Sequence, residues 1–342
     1  MDPAPISALA APGTRNAERG TLVIQTAFLG DVVLTLPLIQ RLAGQYGPVD
    51  VVVTPSAVPL VAGQAGVRRV ITYDKRGADR GIAGLRRVAG LLRAGGYARA
   101  WLPHRSLRSA LLAQLAGIPD RTGFSGGIAG LLHTRRVARA VEGHESQRLL
   151  SLTGTAAEVP PPWFRISPDD RRAADEWLTT RGVGPGFIVM APGARWATKR
   201  WPGFVELAAS LPESIVVIGG PEEREVAGRI ASAGPKRVHN AAGELSLTRS
   251  AALIARASRV VSNDSLALHL AVALGLPVIA VVGPTGPAPG FAPPSPLGRV
   301  VAHPTLACRP CSPHGHDRCP LGHHRCMVEL EAGRVVEVMA DG

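Results

Sequence analysis

Aromatic side chains are scarce, with six Phe, three Tyr and five Trp in 342 residues. Cores are therefore expected to be built from Ala, Val, Leu and Ile. Long apolar runs are missing too. The richest stretch, Leu266 to Gly283, is interrupted by His269, Gly275 and Pro277. It reads as a helix followed by a strand, since a membrane span needs about 20 predominantly apolar residues. Residues 1–20 lack the basic start and apolar run of a secretory signal and read as a short disordered arm. The expectation is a cytoplasmic chain. No G-x-G-x-x-G follows the first apolar run, which argues against a nicotinamide enzyme, and no G-x-x-x-x-G-K-[ST] loop is present. Nor does the sequence hold an Asp-x-Asp pair that could carry a catalytic metal. No cofactor and no metal are expected in the reaction.

The length is right for two domains of ordinary size, and 46% hydrophobic with 19% charged residues is a globular composition. The formal charge of +12 is unevenly placed: fourteen Lys and Arg against four acids lie between Lys75 and Arg148. Arginines on solvated faces account for this excess. So does a field that attracts an anionic partner such as an acidic membrane surface or a phosphorylated glycan. Nucleic acid is not expected, because no aromatic interleaving or nucleic-acid motif accompanies the charge.

Short apolar runs alternate with helical patterns. Strands are expected at 21–26, 49–53, 69–73 and 98–102, with helices at 32–43 (interrupted by Pro37), 84–94 and 107–115. A Pro-rich break follows at Val159-Pro160-Pro161-Pro162. Beyond it come a helix at 169–181 and strands at 187–190, 215–218, 259–262 and 278–282. Helices at 204–210, 222–233, 247–257 and 265–274 separate them. Such alternation predicts an α/β protein of two Rossmann-like parallel-sheet domains facing across a cleft. Ligands of such sheets sit at the carboxyl ends of the strands.

Five constellations stand at informative places. Gly30-Asp31 follows the first strand. Asp31 reads as a helix N-cap, or as a carboxylate able to take a proton from an attacking hydroxyl. Lys199-Arg200 follow the turn Pro192-Gly193-Ala194, where two cations could neutralise a diphosphate. Ser262-Asn263-Asp264-Ser265 opens a helix whose free N–H groups suit phosphate, with His269 near the same face and Thr285 past the next strand. Glu222 and Glu223, after Gly219-Gly220, read as dipole partners of a helix or as contacts to a ribose hydroxyl. Cys308, Cys311, Cys319 and Cys326 lie within nineteen residues, among His314, His316, His323 and His324. Zinc is one reading, but the second pair departs from C-x₂-C spacing, and a reduced cysteine-rich loop is the favoured one.

The segments TAFLGDVVLTLP, LPHRSLRSALLAQLAGIPDRTGF, APGARWATKRWP, SNDSLALHLAVALGLPVIAVVGPT and CRPCSPHGHDRCPLGHHRCM together resemble glycosyltransferase family 9, the ADP-heptose:lipopolysaccharide heptosyltransferases. The last looks most like the heptosyltransferase II branch. The resemblance implies a GT-B fold. Residues 1–160 would form an acceptor-binding domain, 161–328 a nucleotide-sugar-binding domain, and 329–342 a helix packing back on the first. It implies Asp31 as catalytic base and Lys199, Asp264, Ser265 and His269 around the donor, to which the strand-end readings above add Arg200, Glu223 and Thr285. Arg105, Arg108, Arg121 and His144 are candidates for the acceptor. The implied function is inverting transfer of heptose from ADP-heptose to the Kdo-bearing inner core of lipopolysaccharide, with peripheral attachment to the cytoplasmic membrane. One departure stands out: where the family commonly has Gly after Asp-Ser, this chain has Leu266, which narrows the backbone's approach to phosphate. A family 9 transferase with another donor or acceptor, and a non-catalytic polyanion-binding relative, are the rival readings.

Overall fold

The computed structural model describes residues 20–154, 160–285 and 290–340. The expected N-terminal arm, apart from Gly20, and Val159 of the Pro-rich break lie outside them. Two compact units divide the described chain. One takes residues 20–26, 39–55 and 66–138, the other 27–38, 56–65 and 139–340. This differs from the expected single boundary at residue 160, because the start of the first helix and a short segment after the second strand are counted with the second unit.

The first unit is built on six parallel strands in the order β3-β2-β1-β4-β5-β6. They are β1 Thr21–Ile24, β2 Val49–Val53, β3 Val67–Thr72, β4 Arg99–Leu102, β5 Asp120–Phe124 and β6 Arg135–Val137. β1, β2 and β4 are buried at every position, as continuous apolar runs covered on both faces should be. β5 and β6 were not anticipated: DRTGF and RRV carry too few apolar residues to signal a strand, and the pairing of β5 with β4 and of β6 with β5 decides their conformation. Asp50 in β2 is fully buried and answered by Arg68 at 2.8 Å and Arg69 at 2.9 Å. These two arginines thus have structural work within their own unit.

The second unit repeats the plan with β7 Ile188–Ala191, β8 Ile215–Val217, β9 Val238–Asn240, β10 Arg259–Asn263, β11 Val278–Val282 and β12 Gly298–Ala302. Their order is β12-β11-β10-β7-β8-β9. Read from β7, this is the same 3-2-1-4-5-6 order as in the first sheet, the Rossmann arrangement. Its strand order reverses between the first and fourth strands, here β7 and β10, and ligands gather outside that reversal. The last helix, Ala332–Ala340, packs on the helix Phe204–Ser210 and on β12. Val335 and Met339 join a core with Ile188, Phe204 and Val217. The apolar stripe of this helix completes that core. Among the described residues no helix is long and apolar enough to cross a membrane.

Candidate active site

The first helix runs from Leu29 to Tyr46, straight through Pro37. A proline there removes an interior hydrogen bond at a cost of about 3 kcal/mol. The fully buried Val33, Leu34, Leu36, Leu38, Ile39 and Leu42 on either side offset that loss. The early start corrects the placement of Asp31. It is the third helical residue and not the N-cap. Its Oδ2 accepts the N–H of Phe28, the residue before the helix, at 3.2 Å. This is the acidic half of a capping box. Burial raises the Asp31 carboxyl, while the Phe28 N–H, His314, Arg139 and Lys199 pull it back down.

Asp31 lines a cavity of about 710 Å³ whose walls all belong to the second unit. Lys199, Arg200, Glu223, Asp264, Ser265 and His269 line the same cavity. The carboxyl ends of the strands bring them together: Lys199 and Arg200 after β7, Glu223 after β8, and Asp264 and Ser265 directly after β10. Asn263 fastens this end of the sheet. Fully buried, its side chain donates to Pro192 O at 2.7 Å and accepts the N–H of Trp201 at 3.2 Å, tying the β7 loop to β10.

Within the cavity Lys199 Nζ donates to Asp264 Oδ2 at 2.6 Å, and the Thr285 hydroxyl donates to the same oxygen at 3.0 Å. Burial would raise the Asp264 carboxyl, but the Lys199 charge and these bonds outweigh it and hold the group below its ordinary value. Thr285 thus supports Asp264 from behind. Ser265 precedes the helix Leu266–Leu274 with no side-chain cap, leaving first-turn N–H groups without that partner. Leu266, the departure from the family pattern, lines the cavity. Glu223 accepts the Gly220 N–H at 2.8 Å, and a Cβ on Gly193 would stand 2.8 Å from its carboxyl carbon. Glycine is therefore what lets this buried acid close on the β7 turn. His269 lies against Gly30, where an added Cβ would meet its ring at 2.5 Å. Burial pushes His269 down to about 4, so it is a neutral packing imidazole at neutral pH.

The acceptor candidates divide between the two units. Arg105, Arg108 and Arg121 belong to the first unit, and none lines this cavity. Arg121 donates to the carbonyls of Leu132, Ile118 and Pro119, a structural engagement that its exposed-looking sequence position hid. Arg108 donates to Lys75 O at 3.0 Å, and Arg105 is exposed. His144, in the second unit, is buried before the helix Glu145–Leu150, with Nδ1 2.7 Å from the Ser146 hydroxyl.

Sequence reasoning assigned no role in the site to Phe28, His314, Arg139 or Glu145. Phe28 and His314 line the cavity, and Arg139 and Glu145 pair at 2.7 Å within electrostatic reach of Asp31. Only the grouping of His314 with the cysteines was visible in the sequence. All four cysteines are free. Among the described residues no group of three or more His, Cys, Asp or Glu is placed to hold a metal.

Two Rossmann-ordered parallel sheets, with cations and a helix start at the strand-order reversal of the second, define a GT-B glycosyltransferase. The comparisons agree. The pattern of glycosyltransferase family 9 (heptosyltransferase) matches residues 85–324, and the chain belongs to this family. Lipopolysaccharide heptosyltransferase 2 of Escherichia coli (strain K12) is 28% identical over 343 residues, covering 92% of this chain and 96% of that protein. Lipopolysaccharide heptosyltransferase 1 of Pseudomonas aeruginosa is 29% identical, with 85% of each chain covered. The solved structure of E. coli ADP-heptose lps heptosyltransferase II superposes with a TM-score of 0.73 at 25% identity, covering 94% of this chain and 98% of that one.

Proposed function

We propose that this glycosyltransferase moves heptose from ADP-heptose to the inner core of lipopolysaccharide in one inverting step, with Asp31 as general base. The observation that carries the reading is the common cavity. The Asp31 carboxylate shares it with Lys199, Arg200 and the open helix start at Ser265. Asp31 takes the proton of an acceptor hydroxyl as that oxygen bonds to the anomeric carbon. The bond from that carbon to the β-phosphate oxygen breaks, and the electron pair leaves with ADP. Lys199, Arg200 and the first-turn N–H groups stabilise the departing diphosphate. Proton removal of this kind contributes roughly 10²–10⁴-fold, and stabilisation of the leaving charge contributes a comparable amount. Glu223 is assigned to the ribose, with Thr285 and His269 holding Asp264 and the Gly30 turn in place. The first unit, where Arg105 is exposed and Arg108 is half-buried against Lys75 O, is assigned to the anionic acceptor. That acceptor is lipid-linked, so the enzyme works peripherally at the cytoplasmic membrane.

The kinship of the named relatives supports the donor and the pathway. Leu266 on the cavity wall favours one second reading, a family 9 transferase with a different nucleotide sugar. The test is incorporation of labelled heptose from ADP-heptose into Kdo-lipid A cores carrying zero or one heptose. Transfer with inverted anomeric configuration to one of them is expected. No turnover with either core would remove the specificity, and a retained configuration would remove the single-step mechanism.

A further inference from the structure

We propose that His314 is a positioning residue of this site, an imidazole held beside Asp31 that keeps the carboxylate ionised and oriented for proton removal. The inference rests on the reading of Asp31 as the base. Its ground is a chain of contacts between segments almost three hundred residues apart in sequence. The backbone N–H of Phe28 donates to Asp31 Oδ2 at 3.2 Å. The ring of the same Phe28 meets the His314 ring, with centroids 6.2 Å apart and planes inclined at 53°. Both rings line the cavity with Asp31. Phe28 thus fixes the carboxylate with its main chain and the imidazole with its side chain.

The segment that carries His314 is built to stay there. The Ser312 hydroxyl accepts the N–H groups of His314 at 3.1 Å and Gly315 at 2.9 Å, closing a tight turn. Gly315 adopts φ +97°, and a Cβ there would stand 2.9 Å from Trp196 Cβ and 3.2 Å from Lys199 Cγ. The turn is therefore pressed directly onto the loop that carries Lys199. His316 and Thr198 then clasp each other: Thr198 Oγ1 donates to His316 O at 2.8 Å, and His316 N donates to Thr198 Oγ1 at 2.8 Å. His324 Nε2 lies 2.8 Å from Thr198 O and closes the same clasp from the far side. A solvated loop would need none of these ties. Their net effect is to hold one otherwise exposed imidazole at the mouth of the cavity.

Asp31 needs such a neighbour. Burial works against its charged form, and the groups that oppose burial are few: the Phe28 N–H, His314, Arg139 and Lys199. Two of the three cations are already engaged, Lys199 with Asp264 and Arg139 with Glu145. Glu145 adds a like charge near Asp31, and the neutral His269 packs against Gly30 beneath it. No carboxylate is paired with His314 among the ion pairs of the described residues, so none competes with Asp31 for it.

The experiment compares wild type with His314→Ala, His314→Lys and Asp31→Asn in pH profiles of kcat/KM and kcat. An opposite charge close to a carboxylate lowers its pKa by about 1 unit or more. In His314→Ala the acid limb should move up by about 1 pH unit, giving roughly tenfold lower kcat/KM on that limb. His314→Lys, with a fixed cation, should return the limb to the wild-type position or below it. An unmoved limb in His314→Ala overturns the proposal. So does the same displaced limb in both variants, which would mark a steric role, or a rise in KM alone. His314 is exposed, so unchanged thermal unfolding is expected. Asp31→Asn separates the two ideas: near-wild-type activity there sinks the base itself, whereas an inactive Asp31→Asn with an unmoved His314→Ala limb sinks only the role of His314.

Discussion

Lys199 Nζ and Asp264 Oδ2 stand 2.6 Å apart, and each side chain retains 13% of its exposure. The cation that would meet a diphosphate is held by the acid at the start of the donor helix, so charge in the cavity is organised before any ligand arrives. Such preorganisation is what makes electrostatic stabilisation of a leaving group effective. Removing Lys199 leaves Asp264 charged and poorly solvated. Lys199→Ala should lower kcat/KM by about 10²–10³-fold and destabilise the protein by about 2–3 kcal/mol. The Asp264 carboxyl is held below its ordinary 3.8: burial pushes upward, and the Lys199 charge prevails. Its stabilisation is complete above that unfolded value and is lost as pH falls through the lower folded one. The stability gap between wild type and Lys199→Ala, measured by urea unfolding, should therefore be constant near neutrality and close in strongly acidic buffer.

Asp31 behaves in the opposite sense. Burial raises its carboxyl against the pull of the Phe28 N–H and three cations, so folding becomes less favourable as pH rises from the unfolded value through the folded one. Asp31→Asn retains an oxygen for the Phe28 N–H and removes the buried charge. It should unfold at an equal or higher temperature than wild type at pH 7, with no difference at pH 3. Transfer should fall by roughly 10²–10⁴-fold. A stable but inactive variant is the signature of a carboxylate kept for chemistry, and calorimetry beside a transfer assay reads both.

Gly30 is next to Asp31 for a packing reason. The space its missing Cβ leaves is filled by His269, whose ring carbon would stand 2.5 Å away. Gly30→Ala should cost about 1–3 kcal/mol through overpacking. In the double variant with His269→Ala the two effects should fail to add, with a coupling energy of about 1 kcal/mol or more. Chemical denaturation of the four proteins checks this.

Two buried histidines, with the half-buried His104, make the fold sensitive to acid. Burial pushes His104, His144 and His269 each down to about 4. The unfolded chain takes up protons near the ordinary 6.5, and the folded chain resists until about 4. Stability is thus intact above pH 6.5 and is lost progressively toward pH 4, by roughly 2–3 kcal/mol for each group. His269→Gln should flatten that decline, as followed by urea unfolding at stepped pH.

The sequence made most of this architecture legible. Val278–Val282 is an unbroken aliphatic run, and such a run bounded by turns has few ways to be buried other than in the middle of a parallel sheet. Lys199, Asp264 and Glu223 were readable because each follows a strand of that kind, where main-chain geometry alone delivers a residue to the ligand end. Strands such as Asp120–Phe124 and Arg135–Val137 were not readable, since they owe their conformation to partner strands and not to their own apolar pattern.

What the sequence by itself determined is the strand–helix alternation of the two halves and the residues that stand next to the strand ends, because these follow from short-range periodicity and backbone chemistry. The tertiary structure decided which of them meet. It made Asp31 a helix-interior acid bonded to Phe28, gave Arg121 to three backbone carbonyls, buried the last helix in the second unit, and brought His314 from the cysteine-rich segment to the first helix. Contacts across hundreds of residues depend on how buried surfaces fit, and no local pattern encodes that fit.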